Sequence, residues 1–136
     1  GMQLAMELSY KNLAKERAKI LNLKKYFLVK LKELFPDIVT NGLSGSYDLS
    51  TYTLINVTFP FDKEKSKLFE FHLDLHGIAC SKGSACQAGS SVGSHVLSCI
   101  HSESIKDKPS IRFSFCRDNT KKEVDYVIDV LKKFKV

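Results

Sequence analysis

Two residues in this 136-residue chain stand where their chemistry could be used: a cysteine in a loop of small residues, and an arginine within a strand. Cys86 lies in the stretch Gly77 to Ile100, which holds four glycines, six serines and three of the four cysteines. Gly83, Ser84 and Ala85 precede it and Gly89 follows, so little bulk surrounds it and the backbone is free to take unusual angles. That setting suits a thiol that must move and react, since the thiolate is the attacking form and a supple loop lets it travel. The same composition also describes an ordinary loop with a buried cysteine, and Cys86 alone leaves both readings open. Arg112 falls in Ser-Ile-Arg-Phe-Ser-Phe-Cys (Ser110 to Cys116). Alternation there puts Ile111, Phe113 and Phe115 on one face and Arg112, Ser114 and Cys116 on the other. A guanidinium fork on a rigid strand can hold a carboxylate through two hydrogen bonds. The plainer alternative is a surface arginine with its stem laid over the sheet. Together, a mobile thiol and a carboxylate clamp are what handling a small amino acid requires.

Other groups weigh less. Cys80, Cys86, Cys99 and His101 fall within 22 positions, but structural zinc usually begins with two ligands two to four residues apart, and this spacing does not. No metal is therefore expected. Cys99 reads as core filler, and Cys80 as a strand residue with no assigned task. His72 and His76, at i and i+4, share a helix face but lack a third ligand. No lysine stands in a recognisable Schiff-base setting, and no Gly-rich turn opens a Rossmann-type helix.

The elements that must position these residues follow from periodicity. Residues 3 to about 35 read as one long helix: Ile20, Phe27 and Leu34 recur every seven, as do Leu21, Leu28 and Phe35, with Leu31 between. Pro36 stops it. Asn41 to Ser50 is a turn-rich connection, and Tyr52 to Phe59 a strand by β-branched content. Asp62 caps a second helix to about His76, with Leu68, Phe71, His72 and Leu75 on one face and Gly77 as its left-handed stop. Ile78 to Ser81 is a short strand. Ser91 or Ser94 caps a short helix through Ile100 with Val96 and Leu97 inward. Ser110 to Cys116 is the clearest strand. Thr120 and Glu123 form a capping box for a last helix bearing Val124, Val127, Ile128, Leu131 and Phe134. The fold class is α+β, a small, largely antiparallel sheet with helices packed on one face.

Composition narrows the partners. With 43% hydrophobic and 26% charged residues, one globular domain is expected. No run reaches the roughly 18 apolar residues of a membrane span, and no signal peptide is visible, so cytoplasmic, reduced thiols are expected. The net charge of +6 is carried by residues 11 to 35, where Tyr26, Phe27 and Phe35 do not alternate with the charges as a nucleic-acid platform would need. Neither nucleic acid nor membrane is an expected partner. Gly1 ahead of Met2 reads as a cloning remnant.

Leu-Asp-Leu-His-Gly-Ile-Ala-Cys-Ser-Lys-Gly-Ser-Ala-Cys-Gln-Ala-Gly-Ser (Leu73 to Ser90), Ser-His-Val-Leu (Ser94 to Leu97), Ser-Ile-Arg-Phe-Ser-Phe-Cys-Arg (Ser110 to Arg117) and Glu-Val-Asp-Tyr-Val-Ile (Glu123 to Ile128) together resemble the cysteine desulfurases. These are pyridoxal-phosphate enzymes akin to class V aminotransferases. The resemblance covers nearly the whole chain and implies residues 2–136 as a C-terminal small domain, with the N-terminal cofactor domain missing. It implies Cys86 as the persulfide-forming nucleophile and Arg112 as the ligand of the substrate carboxylate. The implied reaction takes L-cysteine to alanine and leaves sulfur on Cys86 for an acceptor or scaffold protein, as in iron–sulfur cluster assembly, in a homodimeric parent. Pyridoxal phosphate belongs to the parent, and none is expected on this piece, which is expected to be inactive alone. The chain departs from the family pattern at Lys82, Gly93 and Cys116. A selenocysteine lyase or other class V member, and a stand-alone sulfur carrier or interaction module, are the alternatives.

Overall fold

A 33-residue helix, α1 (Met2–Leu34), leads the computed structural model, which describes residues 1–81, 95–100, 105 and 108–135. Its second half carries the apolar stripe read from the sequence, and Ile20, Leu23, Phe27, Leu28 and Leu31 are buried. Phe35 closes it, its N–H bonded to the Leu31 carbonyl at 2.7 Å. Pro36 is the cause, because the residue before a proline is pushed out of helical angles.

Three antiparallel strands follow in the order β1 (Val39–Thr40), β2 (Leu54–Thr58), β3 (Ser110–Ser114). Thr58 pairs with Val39 on one side and Ser110 on the other, and Asn56 pairs with Arg112. The expected strand at 78–81 reduces to one bridge, Ser81 to Arg112, on the free edge of β3. Gly42, at φ +55°, makes the left-handed turn that leads away from β1.

Helix α2 (Lys63–Leu75) begins as expected, with the Asp62 carboxylate accepting the Lys65 N–H at 2.8 Å, and Gly77 at φ +69° follows its last turn. Its inward face differs from expectation. Leu68, Phe71 and Leu75 are 60–67% exposed, whereas Phe69 and Leu73 are fully buried with His72 beside them. Apolar residues occur on both sides of this helix, so two stripes fit a 3.6-residue period and packing selects between them. Helix α3 (His95–Ile100) also departs from expectation: Val96, Cys99 and Ile100 are exposed, and Leu97 is partly covered. Ser91 and Ser94, its expected caps, lie outside the described residues.

Helix α4 (Lys121–Lys135) opens on the expected capping box. Glu123 N–H donates to Thr120 Oγ1 at 3.3 Å, and Thr120 N–H donates to the Glu123 carboxylate at 2.6 Å. Val124, Val130 and Leu131 are buried. The core gathers the inward residues of α1, α2 and α4 against one sheet face, Ile55, Val57, Ile111 and Phe113. Edge-to-face phenylalanine contacts knit it together, among them Phe27–Phe113 at 5.0 Å and Phe59–Phe69 at 4.7 Å. Helices α1, α2 and α4 pack on that face, and Arg112 stands exposed on the other.

Candidate functional site

Arg112 stands on the sheet face opposite α1, α2 and α4. Its strand neighbours Ile111 and Phe113 are locked in the core, so the backbone beneath the guanidinium is held on both sides. The Arg112 N–H donates to the Ser81 carbonyl at 2.8 Å, and the Ser81 N–H returns a bond to the Arg112 carbonyl at 3.2 Å. Nη2 of Arg112 also donates to Ser81 Oγ at 3.3 Å. The side chain is exposed but tethered.

The sheet register sets a polar row across this face: Ser81, Arg112, Asn56 and, beside Asn56 on β1's extension, Asn41. Asn41 N–H donates to the Asn56 carbonyl at 2.9 Å, which Ser44 Oγ also reaches at 2.7 Å. Behind the row lies a closed set of hydroxyl and amide bonds. Thr58 Oγ1 donates to Asn41 Oδ1 at 3.0 Å, Asn41 Nδ2 reaches Ser110 Oγ at 3.3 Å, and Ser110 and Thr58 hydroxyls meet at 2.6 Å. Asn41 Nδ2 donates as well to Asn56 Oδ1 at 2.8 Å. Thr58 is 1% exposed, so this network is interior and satisfied, the condition under which buried polar groups rigidify a site.

The cysteines divide by environment. Cys80 is half-buried against the core; burial, with Glu70 and Asp74 adding, pushes its thiol up to about 11, which keeps it protonated and unreactive. Cys116, just past β3, is exposed, its N–H bonded to Asn119 Oδ1 at 2.8 Å. Cys99, read from the sequence as core filler, is exposed. Cys86 and His101 lie outside the described residues. His72 and His76 lie with ring centroids 4.3 Å apart and their planes tilted, on the helix-covered side of the sheet away from Arg112's face, with Phe134 against His72. Among the described residues no group of three or more His, Cys, Asp or Glu side chains could hold a metal ion.

Asn56, Asn41 and Ser81 escaped the sequence reading. Asparagine is disfavoured in strands, so Asn56 in the middle of Leu-Ile-Asn-Val-Thr was a usable signal. Its place beside Arg112 depends on a pairing between residues 56 apart, which only the register supplies.

The aminotransferase class-V family model matches residues 1–127. The chain is 33% identical over 133 residues to the cysteine desulfurase IscS of Dictyoglomus turgidum, covering 98% of this chain and 32% of that protein. It is 31% identical over 134 residues to the probable mitochondrial cysteine desulfurase of Dictyostelium discoideum, covering 98% and 28%. Among solved structures, a NifS-like protein from Rickettsia africae superposes with a TM-score of 0.71 at 25% identity, covering 97% of this chain and 32% of the other. The chain thus spans about a third of the length of the curated relatives it matches.

Proposed function

Because the chain belongs to the aminotransferase class-V family, we propose that residues 2–136 form the substrate-gripping small domain of a cysteine desulfurase. In this reading Arg112 holds the carboxylate of L-cysteine and Cys86, five positions after Ser81, receives the sulfur. The substrate's carbon–sulfur bond breaks, a sulfur–sulfur bond forms on Cys86, and one proton passes to the carbon, giving alanine and a persulfide that an acceptor protein consumes. The observation that carries the reading is Arg112 itself: an exposed guanidinium on a rigid strand, tethered by Ser81, on the sheet face opposite α1, α2 and α4. The cysteine-desulfurase relatives support the substrate class.

Pyridoxal phosphate, when bound in the whole protein, supplies the electron sink that lets the carbon–sulfur bond break. The polar row of Ser81, Arg112, Asn56 and Asn41 contains donors for a carboxylate but no lysine for an aldehyde. The buried lysine, Lys24, spends its ammonium on Ser50 Oγ and the Thr51 carbonyl, at 2.7 and 2.9 Å. The described residues therefore fit the amino acid and not the cofactor, whose ligands we assign to the two thirds of the relatives' length not matched here. We expect these 136 residues with pyridoxal phosphate and L-cysteine to release no alanine. Three described cysteines carry free thiols, which suits a reducing, cytoplasm-like compartment.

Glutathione persulfide tests the sulfur-accepting role directly. Peptide mapping by mass spectrometry after exchange is expected to find one added sulfur on Cys86, with Cys80, Cys99 and Cys116 unchanged. Sulfur spread evenly over the four thiols, or steady alanine production by the chain alone, would refute the proposal.

A further inference from the structure

We infer that Asn56 is a second donor to the bound carboxylate, acting beside Arg112. The sheet geometry makes the two neighbours in a specific way. Both backbone groups of Arg112 are spent on Ser81, so Arg112 and Asn56 form the non-hydrogen-bonded type of antiparallel pair. In such pairs the Cα atoms lie about 4.5 Å apart and the facing side chains come closest. Asn56 is turned by its other neighbour. Asn41 Nδ2 donates to Asn56 Oδ1, and Asn41 is held in turn by Thr58 and Ser110. The oxygen of Asn56 is thereby occupied, while its Nδ2 has no partner among the described residues. Two hydrogen-bond donors, an amide nitrogen and a guanidinium, thus stand on paired residues of one sheet face, with Nη2 of the guanidinium turned to Ser81 Oγ. An acceptor with oxygens on two sides of one carbon fits between them, and a carboxylate is that group.

The second donor has a consequence that Arg112 alone lacks. A guanidinium fork grips a carboxylate in its own plane, and a third donor from the adjacent strand fixes how that plane lies over the sheet. Asn56 would thus set the direction in which the rest of the amino acid leaves the clamp. Asn41 would act as a positioning residue, holding the Asn56 amide with its oxygen inward.

This inference rests on the reading of Arg112 as a carboxylate clamp, and acetate on the 136-residue chain separates the two. The 15N-labelled protein is titrated with sodium acetate against sodium chloride at matched ionic strength, following the Asn56 side-chain amide and the Arg112 Nε–H by NMR. Both signals are expected to shift together along one binding curve and to lose the response in Arg112→Gln. Asn56→Ala is expected to weaken acetate binding by at least about threefold, the order of effect for a hydrogen bond to a charged group near solvent. A response at Arg112 with none at Asn56, or unchanged affinity in folded Asn56→Ala, would overturn the role of Asn56 and leave the clamp standing. Silence at both would overturn the clamp and this inference with it. If Asn56→Ala fails to fold, the wild-type Asn56 signal alone decides.

Discussion

At the scale of single residues, the groups that titrate away from the candidate site have their own consequences. His72 packs against Phe134 and His76, and its Nε2 is enclosed with no hydrogen-bond partner among the described residues. Burial first, and the neighbouring His76 second, push its pKa below the ordinary value of 6.5, against a smaller opposing pull from the Val130 carbonyl. The folded state therefore resists a proton that the unfolded chain accepts. Stability is full above about pH 6.5 and falls as pH drops through that value toward the lowered one. Melting temperatures measured from pH 7.5 to 5.5 are expected to decline in the native chain and to decline less in His72→Gln. Identical slopes would remove His72 as the cause. Lys24 shows the opposite economy: burial lowers its pKa, yet its ammonium donates to two oxygens of the β1–β2 connection, Ser50 Oγ and the Thr51 carbonyl, so it is kept as a staple between α1 and that loop.

At the scale of elements, the turn from β3 into α4 secures the end of the strand that carries Arg112. Asn119 Oδ1 accepts the Cys116 N–H, and one residue later Thr120 and Glu123 satisfy each other's backbone donors. Those bonds, led by the Thr120 N–H, hold the Glu123 carboxyl below its ordinary value of 4.5. Its contribution is therefore present above that pH and lost as pH falls through the lowered value, a window separate from that of His72. Thr120→Ala is expected to cost about 1 kcal/mol, or about 4 °C in melting temperature, and to flatten the stability profile below about pH 4.5. An unchanged melting temperature would mean that tertiary packing alone holds the start of α4. Helix α2 teaches a different lesson. Its cap and its glycine stop were legible from Asp62 and Gly77, but its inward stripe was not. Phe69 and Leu73 win over Leu68, Phe71 and Leu75 because the phenylalanine cluster of Phe35, Phe59, Phe61 and Phe134 lies on their side.

At the scale of the whole molecule, α1 is longer than the body it packs on. No residue before Ile20 is buried, and Met2, Met6, Tyr10 and Leu13 stay exposed with Leu4 and Leu8. An apolar face of this kind on a lone chain promotes association. The 136-residue chain is expected to self-associate with rising concentration in sedimentation velocity, and Met6→Lys with Leu13→Lys is expected to suppress this at unchanged melting temperature. Concentration-independent sedimentation would show that the arm is inert. The periodicity of α1, the alternation around Arg112 and the box at Thr120 were readable from sequence, because each depends on residues a few positions apart and on local stereochemistry. The partners of Arg112 were not. Ser81 and Asn56 come to its sides only when strands 31 and 56 positions distant adopt one register, and the burial of Lys24, Phe69 and Leu73 follows only from what packs against them. Short-range pattern thus determined the long helices, the two longer strands and the place of Arg112 on one of them, whereas long-range pairing decided its neighbours, since no local rule encodes which distant strand lies alongside.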